Sequence, residues 1–366
     1  MNRPFHWPAE FGRQAAIWLA WPANASDWPG KFAPIAWVYG EMVRRITASG
    51  QRVRLLTGDA GRETAARRVL RDVGADTGLV DWFARPMNRG WTRDFMPFFV
   101  REGEKVVAVD CRFTGWAKYP DHGLDDAVGP SVCEELGIEV VPARHQGRPV
   151  VLEGGAMDGN GAGDVLTTEE CLLDTVTQVR NPGFTRQDYE AVFRQYLGAQ
   201  NVLWLGRGIA GDDTHGHVDD LCRFVSRDTV VLCREDDPAD ANYQALCENR
   251  ERLACAHLAD GAKLQVVDLP MPHPVIFRGQ RLPASYANFL IAQHVVLVPT
   301  FNDARDRLAL GILAELFPGR AVIGIHAVDL VWGLGTVHCL SHEEPAADEV
   351  AFSKFVTTNL ENNTLR

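Results

Sequence analysis

The sequence predicts an α/β chain of alternating strands and helices, and three observations carry that expectation. Short apolar runs closed by proline or glycine have strand character, as in Ile17-Trp18-Leu19-Ala20-Trp21 before Pro22. Apolar residues at helical spacing follow, beginning with Ile35, Val38, Met42, Val43 and Ile46. The alternation then recurs at a near-constant interval of roughly 50 to 65 residues.

Taken in order, the first helix leads to a strand at Val53-Arg54-Leu55-Leu56. Further helices are expected to start near Arg62, Leu124, Arg186, Ala239 and Ala304. Each is followed by a β-rich run, at 79–83, 138–141, 202–205, 264–267 and 322–325. Similar spacings fit an internally repeated α/β unit. They equally fit an ordinary doubly wound α/β sheet, in which strands and helices also alternate. No charge block or Pro/Ser-rich linker interrupts the chain between Pro22 and Pro345. One continuous domain over residues 1–366 is therefore expected, with a short polar tail after Leu360.

The chain of 366 residues is 46% apolar, enough for a substantial core, and carries a formal net charge of −11. That charge argues against nucleic acid, which wants a basic face, and is compatible with a small cationic substrate. Eight cysteines occur with no C-x-x-C pair. Without an apolar signal segment ahead of Glu10 they are expected to be reduced thiols in the cytoplasm. No run of about 18 apolar residues exists, so no membrane association is expected.

Cys339 follows a glycine-rich turn, Gly333-Leu334-Gly335-Thr336-Val337-His338-Cys339. A thiolate there would be a strong nucleophile, and a nearby positive charge would raise its population. The other seven cysteines lie in apolar or helical runs and are expected to be structural. His217 lies in Gly211-Asp212-Asp213-Thr214-His215-Gly216-His217-Val218-Asp219-Asp220. If this segment is a strand, His217 and Asp219 share a face, and the histidine could protonate a leaving group and later deprotonate water. The same run reads H-x-H-x-D, a spacing also used by two-zinc hydrolases. Asp94 stands in Trp91-Thr92-Arg93-Asp94, where indole and carboxylate together would attract a flat cation. Glu153 closes the apolar run Val150-Val151-Leu152 before Gly154-Gly155 and needs a partner if buried. Asp158 to Gly161 reads as a hairpin turn, with the returning strand at 164–169.

With these motifs in place, the chain closely resembles the agmatine deiminase family of guanidine-modifying enzymes. The resemblance runs from Trp7-Pro8-Ala9-Glu10 and Trp18-Leu19-Ala20-Trp21-Pro22 through Trp91 to Pro97. It continues through Glu153-Gly154-Gly155, Leu166 to Leu173, Arg180-Asn181-Pro182 and Gly211 to Asp219. Ala284-Ser285-Tyr286-Ala287-Asn288-Phe289 and Gly335 to Cys339 complete it. It implies a pentein α/β propeller of five ββαβ-type units with pseudo-fivefold symmetry. It also implies no metal and no cofactor, and homodimers as one assembly. The implied reaction is hydrolysis of agmatine to N-carbamoylputrescine and ammonia, on the route from arginine to putrescine. By position, Cys339 resembles the nucleophile and His217 the general acid/base. Asp94 and Asp219 resemble the guanidinium-binding carboxylates, Glu153 the acid that positions the histidine, and Trp91 a substrate-binding residue. Free arginine or peptidyl-arginine is the alternative substrate for the same site. Met96 departs from the usual glycine, which requires a negative φ there. Glu343 and Glu344 depart from glutamines and are expected to tune substrate preference or only the surface. For the substrate's far amine, Asp212, Asp213 and Glu344 are the unranked candidates.

Overall fold

Strand Gln14–Ala20 pairs antiparallel with strand Ser341–Pro345, so the two ends of the described chain meet in one sheet. The computed structural model describes residues 3–347; the expected polar tail after Leu360 lies outside them. From Gln14–Ala20 the sheet continues, in parallel, to Arg52–Leu56 and Val80–Phe83. Parallel neighbours cannot be joined by a tight turn. Helices Phe32–Ala48 and Ala60–Asp72 make these crossovers.

Four further sheets repeat that pattern: an antiparallel pair, a helix, then a parallel strand. Phe98–Glu102 and Lys105–Asp110 form one such pair, followed by helix Gly123–Glu135 and strand Glu139–Pro142, with Phe5–His6 added at the edge. Asp158–Gly159 and Asp164–Thr168 lead through helix Arg186–Leu197 to Asn201–Leu205. Cys222–Phe224 and Thr229–Arg234 lead through helix Tyr243–Ala254 to Gln265–Pro270. Leu290–Ile291 and Val295–Thr300 lead through helix Asp306–Leu316 to Ala321–His326.

The sequence explains the boundaries. Helix Arg186–Leu197 is fixed at one end by a reciprocal capping box between Thr185 and Asp188, and at the other by Gly198 at φ 70°. In helix Phe32–Ala48 the buried stripe is Ile35, Tyr39, Met42, Val43 and Ile46. Val38 is only partly buried, and Tyr39 takes its place in the stripe. The helix expected near Ala239 starts later, at Tyr243. Asp237 and Asp240 side chains accept the backbone N–H groups of Ala239 and Asn242 at 2.9 and 2.8 Å, holding the chain in turns first.

Two other local expectations are corrected. His217 does not lie on a strand: it precedes a 3₁₀ turn, Val218–Asp220, and the strand begins at Cys222. Glu153 likewise ends no strand. It precedes the 3₁₀ turn Gly154–Ala156, and its apolar run makes only an isolated bridge, Arg112 to Val151. Asp158–Gly159 is the outgoing strand of its hairpin, one step earlier than the turn. Among the described residues no helix is long and apolar enough to cross a membrane.

Candidate active site

The same place in each of the five sheets carries a polar group, just ahead of the first strand of its antiparallel pair. Asp94 lies in the short helix Thr92–Phe95 before Phe98, and Glu153 before Asp158. His217 and Asp219 precede Cys222, Asn288 precedes Leu290, and Cys339 precedes Ser341. Residues far apart in sequence are thereby gathered. His217 Nδ1 is 3.7 Å from Asp94 Oδ1 and 4.0 Å from Asp219 Oδ1, and its Nε2 is 3.8 Å from Glu153 Oε2. Cys339 Sγ lies 3.7 Å from Asp219 Oδ2 and 3.0 Å from Asn288 Nδ2.

Glycine is required where these groups crowd. A Cβ on Gly155 would sit 2.5 Å from His217 Nδ1 and 2.9 Å from Asp94 Oδ1. One on Gly335 would sit 2.8 Å from the Trp91 ring and 3.1 Å from Cys339 Sγ.

The carboxylates are held, yet not saturated. Trp116 Nε1 donates to Asp94 Oδ2 at 2.8 Å and the Gly155 N–H to Oδ1 at 3.0 Å. Arg180 Nε donates to both oxygens of Glu153 at 3.2 and 3.3 Å. Asp219 Oδ2 lies 2.7 Å from His338 Nδ1, and His338 Nε2 lies 2.9 Å from Glu10 Oε2. Arg223 in turn bonds Glu10. Asp219 Oδ1 and both His217 ring nitrogens are buried with no hydrogen-bond partner among the described residues. Such orphans are costly unless a ligand satisfies them.

Burial and neighbouring charge set the protonation states. Burial opposes a charge on His217, but Asp94, Cys171 and Glu153 more than offset it and hold its pKa well above the usual value. Burial lifts Asp94 to about 6, with Asp219 and Glu153 adding and His217 opposing. Burial would raise Glu153 too, but Arg180 and His217 pull it to about 2. The Cys339 thiol is pushed far up by burial, then by Asp219, Asp220 and Asp94. The free site therefore holds an imidazolium, several carboxylates and a neutral thiol.

A cavity of about 230 Å³ opens from this cluster, walled by Trp91, Trp116, Tyr119 and Leu334, with Cys339 and Asp94 in its lining. Asp27, Arg89 and Asp213 also line it. Of the six residues singled out from the sequence, Trp91, Asp94 and Cys339 line this cavity, while His217, Asp219 and Glu153 join Asp94 and Cys339 through the distances above. Asn288, Asp220, His338, Glu10, Arg180 and Trp116 were not singled out. Glu10, Arg180, Asn288 and His338 stand in the motifs that carry the resemblance, and Asn288 also shares with Asp94 and Cys339 a place just ahead of a strand.

Three expectations change. Cys171, expected in an apolar run away from the site, stands beside it: its sulfur, a Glu153 oxygen and a His217 nitrogen lie within 4.8 Å of one another. Glu343 and Glu344 are neither surface groups nor cavity lining. Glu343 accepts from Arg93 Nη1 at 2.7 Å, and Glu344 from Trp18 Nε1 at 2.9 Å and Arg54 Nη2 at 2.8 Å, inside the protein. The H-x-H-x-D run does not converge. His215, at φ 66°, turns to Asp174 Oδ2 at 2.7 Å, while His217 faces the thiol cluster. The two groups of atoms able to ligate a metal, Glu153/Cys171/His217 and Asp219/Asp220/Cys339, both leave His215 out. Met96 sits at φ −73°, as a residue other than glycine requires.

Acidic groups left short of partners beside a thiol are what a planar cation needs, and on an α/β frame this arrangement defines a guanidine-modifying enzyme. The sequence profile of the Porphyromonas-type peptidyl-arginine deiminases matches residues 6–345, and the chain belongs to that family. A Selenomonas ruminantium protein provisionally named an agmatine deiminase is 34% identical over 94% of this chain and 96% of its own. The agmatine deiminase of Enterococcus faecalis superposes with a TM-score of 0.86 at 29% identity, covering 94% of this chain and 97% of its own. A cysteine-to-serine variant of the C. jejuni agmatine deiminase, solved with substrate bound, gives a TM-score of 0.81 at 26% identity, covering 93% and 96%.

Proposed function

We propose that this chain hydrolyses agmatine to N-carbamoylputrescine and ammonia, with Cys339 as nucleophile. The observation that carries the reading is the set of buried, unpartnered polar atoms, His217 Nδ1 and Nε2 and Asp219 Oδ1, next to Asp94 and Cys339, which line an acidic cavity. The similarity to agmatine deiminases supports the choice of guanidine. The five sheets, each contributing one part of the site, support a pentein α/β propeller of five ββαβ-type units about a pseudo-fivefold axis.

Asp94 and Asp219 hold the guanidinium nitrogens, and Trp91 packs the wall beside them. The incoming cation offsets the carboxylates that keep the Cys339 thiol neutral, so the thiol proton passes to water as the thiolate forms. The thiolate bonds to the guanidino carbon and gives a tetrahedral adduct. The His217 imidazolium donates its proton, the C–N bond breaks, and ammonia leaves. An amidino-thioether remains on Cys339. Neutral His217 then takes a proton from water, whose oxygen adds to the same carbon. Collapse breaks the C–S bond, the adduct's hydroxyl proton passes to the departing sulfur and restores the thiol, and the ureido product leaves. Glu153, locked by Arg180, orients the imidazole.

Assaying ammonia and ureido product from pure protein and agmatine tests this. Turnover is expected, with Cys339→Ser losing at least about 10³-fold in kcat. A Cys339→Ser variant as active as the wild type would rule the mechanism out. Free arginine or a peptidyl-arginine is the competing substrate. A cavity of about 230 Å³ suits a slim alkyl chain better than a polypeptide, and a kcat/KM ranking with arginine above agmatine would reverse the choice.

A further inference from the structure

The far end of the substrate carries a second positive charge, and the cavity wall shows which acid is free to meet it. The three acids that the sequence suggested are already engaged. Asp212 accepts from its own loop: Thr214 N–H at 2.8 Å, and Gly216 and His217 N–H at 2.7 and 3.1 Å. Asp213 accepts from Lys118 Nζ at 2.5 Å and from the Tyr119 hydroxyl at 2.7 Å. Glu344 is absorbed by Trp18 and Arg54, outside the cavity lining.

Asp27 differs. It lines the same cavity as Cys339 and Asp94, and its side chain is 2% exposed. Its Oδ1 accepts from Arg89 Nη1, but its Oδ2 is buried without a partner among the described residues. Arg89 does not neutralise it fully, because the same guanidinium also binds both oxygens of Asp121 through Nη2 at 3.0 Å. One cation thus serves two carboxylates, and this wall keeps a surplus negative charge. Burial lifts Asp27 to about 6, with Arg89 and, more weakly, the Trp91 indole opposing and Asp121 adding, as expected of a buried acid whose one cationic partner is shared. The lining that Asp27 shares with Cys339 also includes Trp91, Trp116 and Leu334, apolar surface suited to methylenes.

We propose that Asp27 Oδ2 receives the terminal ammonium of the substrate and so selects guanidines carrying a second cation at the end of a short alkyl chain. The proposal rests on the agmatine reading above and adds to it the residue that reads the far end. The carboxylate accepts a charge-assisted hydrogen bond from the ammonium while Arg89 holds its other oxygen in place. Substrates ending in a carboxylate or a neutral methyl lose that contact.

The test compares agmatine with butylguanidine, which has the same chain and no ammonium, on wild type and on Asp27→Asn, Asp27→Glu and Asp213→Asn. Wild type is expected to favour agmatine in kcat/KM. Asp27→Asn should lose roughly 10- to 100-fold on agmatine, mostly in KM, and far less on butylguanidine, so the ratio collapses. Asp27→Glu, which keeps the charge one methylene further in, should shift the preference toward 3-aminopropylguanidine. Asp213→Asn should leave the ratio in place. The proposal is overturned by a wild type indifferent to the ammonium, by Asp27 variants that lower both substrates equally, or by a ratio that follows Asp213. A wild type that turns over neither guanidine defeats the agmatine reading itself. Agmatine turnover with an unmoved ratio defeats only the role of Asp27.

Discussion

Asn288 Nδ2 lies 3.0 Å from Cys339 Sγ, and its amide has only one orientation that fits. Oδ1 accepts from the Thr336 hydroxyl at 2.7 Å and from the His338 N–H at 3.1 Å, which turns the NH₂ group toward the sulfur and the carboxylate of Asp220 at 2.9 Å. A fixed donor beside a sulfur that must become anionic stabilises the thiolate and the adduct that follows. Asn288→Ala is expected to lower kcat about 10- to 100-fold, the worth of one hydrogen bond to a charged group. Asn288→Asp should cost more, since it replaces a donor with an anion beside Asp219 and Asp220. Steady-state kinetics together with the pH dependence of iodoacetamide alkylation check this. An alkylation pKa unmoved by both substitutions would remove Asn288 from any role at the sulfur.

The neutral thiol of the free site makes a second prediction. Burial and three carboxylates hold Cys339 protonated, so a cation docked against Asp94 and Asp219 is needed to form the thiolate. A haloacetamidine, cationic and amidine-shaped, should alkylate Cys339 faster than the matching haloacetamide by roughly 10- to 1000-fold, the range that one neighbouring charge moves a pKa. Rates are read by mass spectrometry of the labelled peptide. Equal rates for the two reagents would mean that the thiolate exists before the cation arrives.

Regular elements were legible where local chemistry decides them. The Thr185–Asp188 capping box starts a helix wherever it occurs, and the strand at 201–205 follows from its apolar run. The site was legible as a set of residue types but not as an arrangement. His217 and Asp219 come within 4.0 Å of each other because a 3₁₀ turn brings them round, not because of strand alternation. Asn288 shows only its motif and its place ahead of a strand, and Asp27 shows no local signature, since what makes each of them functional is a partner, or the lack of one, supplied from distant segments. Glu343 and Glu344 mislead for the same reason. Strand Ser341–Pro345 is buried along its length, so charges that look solvent-bound are instead satisfied by Arg93, Arg54 and Trp18.

Asp94 sets the acid limb of activity. Its pKa is about 6, and only the ionised form holds a guanidinium. As pH falls through 6 the carboxylate is protonated and substrate binding is lost. With butylguanidine, which does not engage Asp27, kcat/KM should therefore decline about tenfold per pH unit below 6, while Glu153, at about 2, stays ionised. Asp94→Asn should lose the binding that this limb reports and flatten it. A profile of kcat/KM from pH 4 to 8 on both proteins decides; a limb retained in Asp94→Asn would assign it to another group.

Glu153 couples stability to proton transfer, and the two can be separated. Its side chain and that of Arg180 are both fully buried, paired at 3.2 Å. Arg180 also donates to the backbone oxygens of Gln178 at 2.9 Å and Thr214 at 2.5 Å, tying its own loop to the one that carries His217. Glu153→Gln strands the Arg180 charge in the interior, and about 3–5 kcal/mol of stability is expected to be lost. The same change takes one of the anions from beside His217, so its pKa falls. Because the protonated imidazole is the acid that releases ammonia, the basic limb of kcat should move to lower pH. The double variant Glu153→Gln/Arg180→Met removes both buried charges and should recover most of the lost stability. It leaves the basic limb where Glu153→Gln put it. Thermal melts and kcat–pH profiles on the two variants give both readings. If the double variant restores the wild-type limb along with the stability, Glu153 acts on the fold alone and not on the proton of His217.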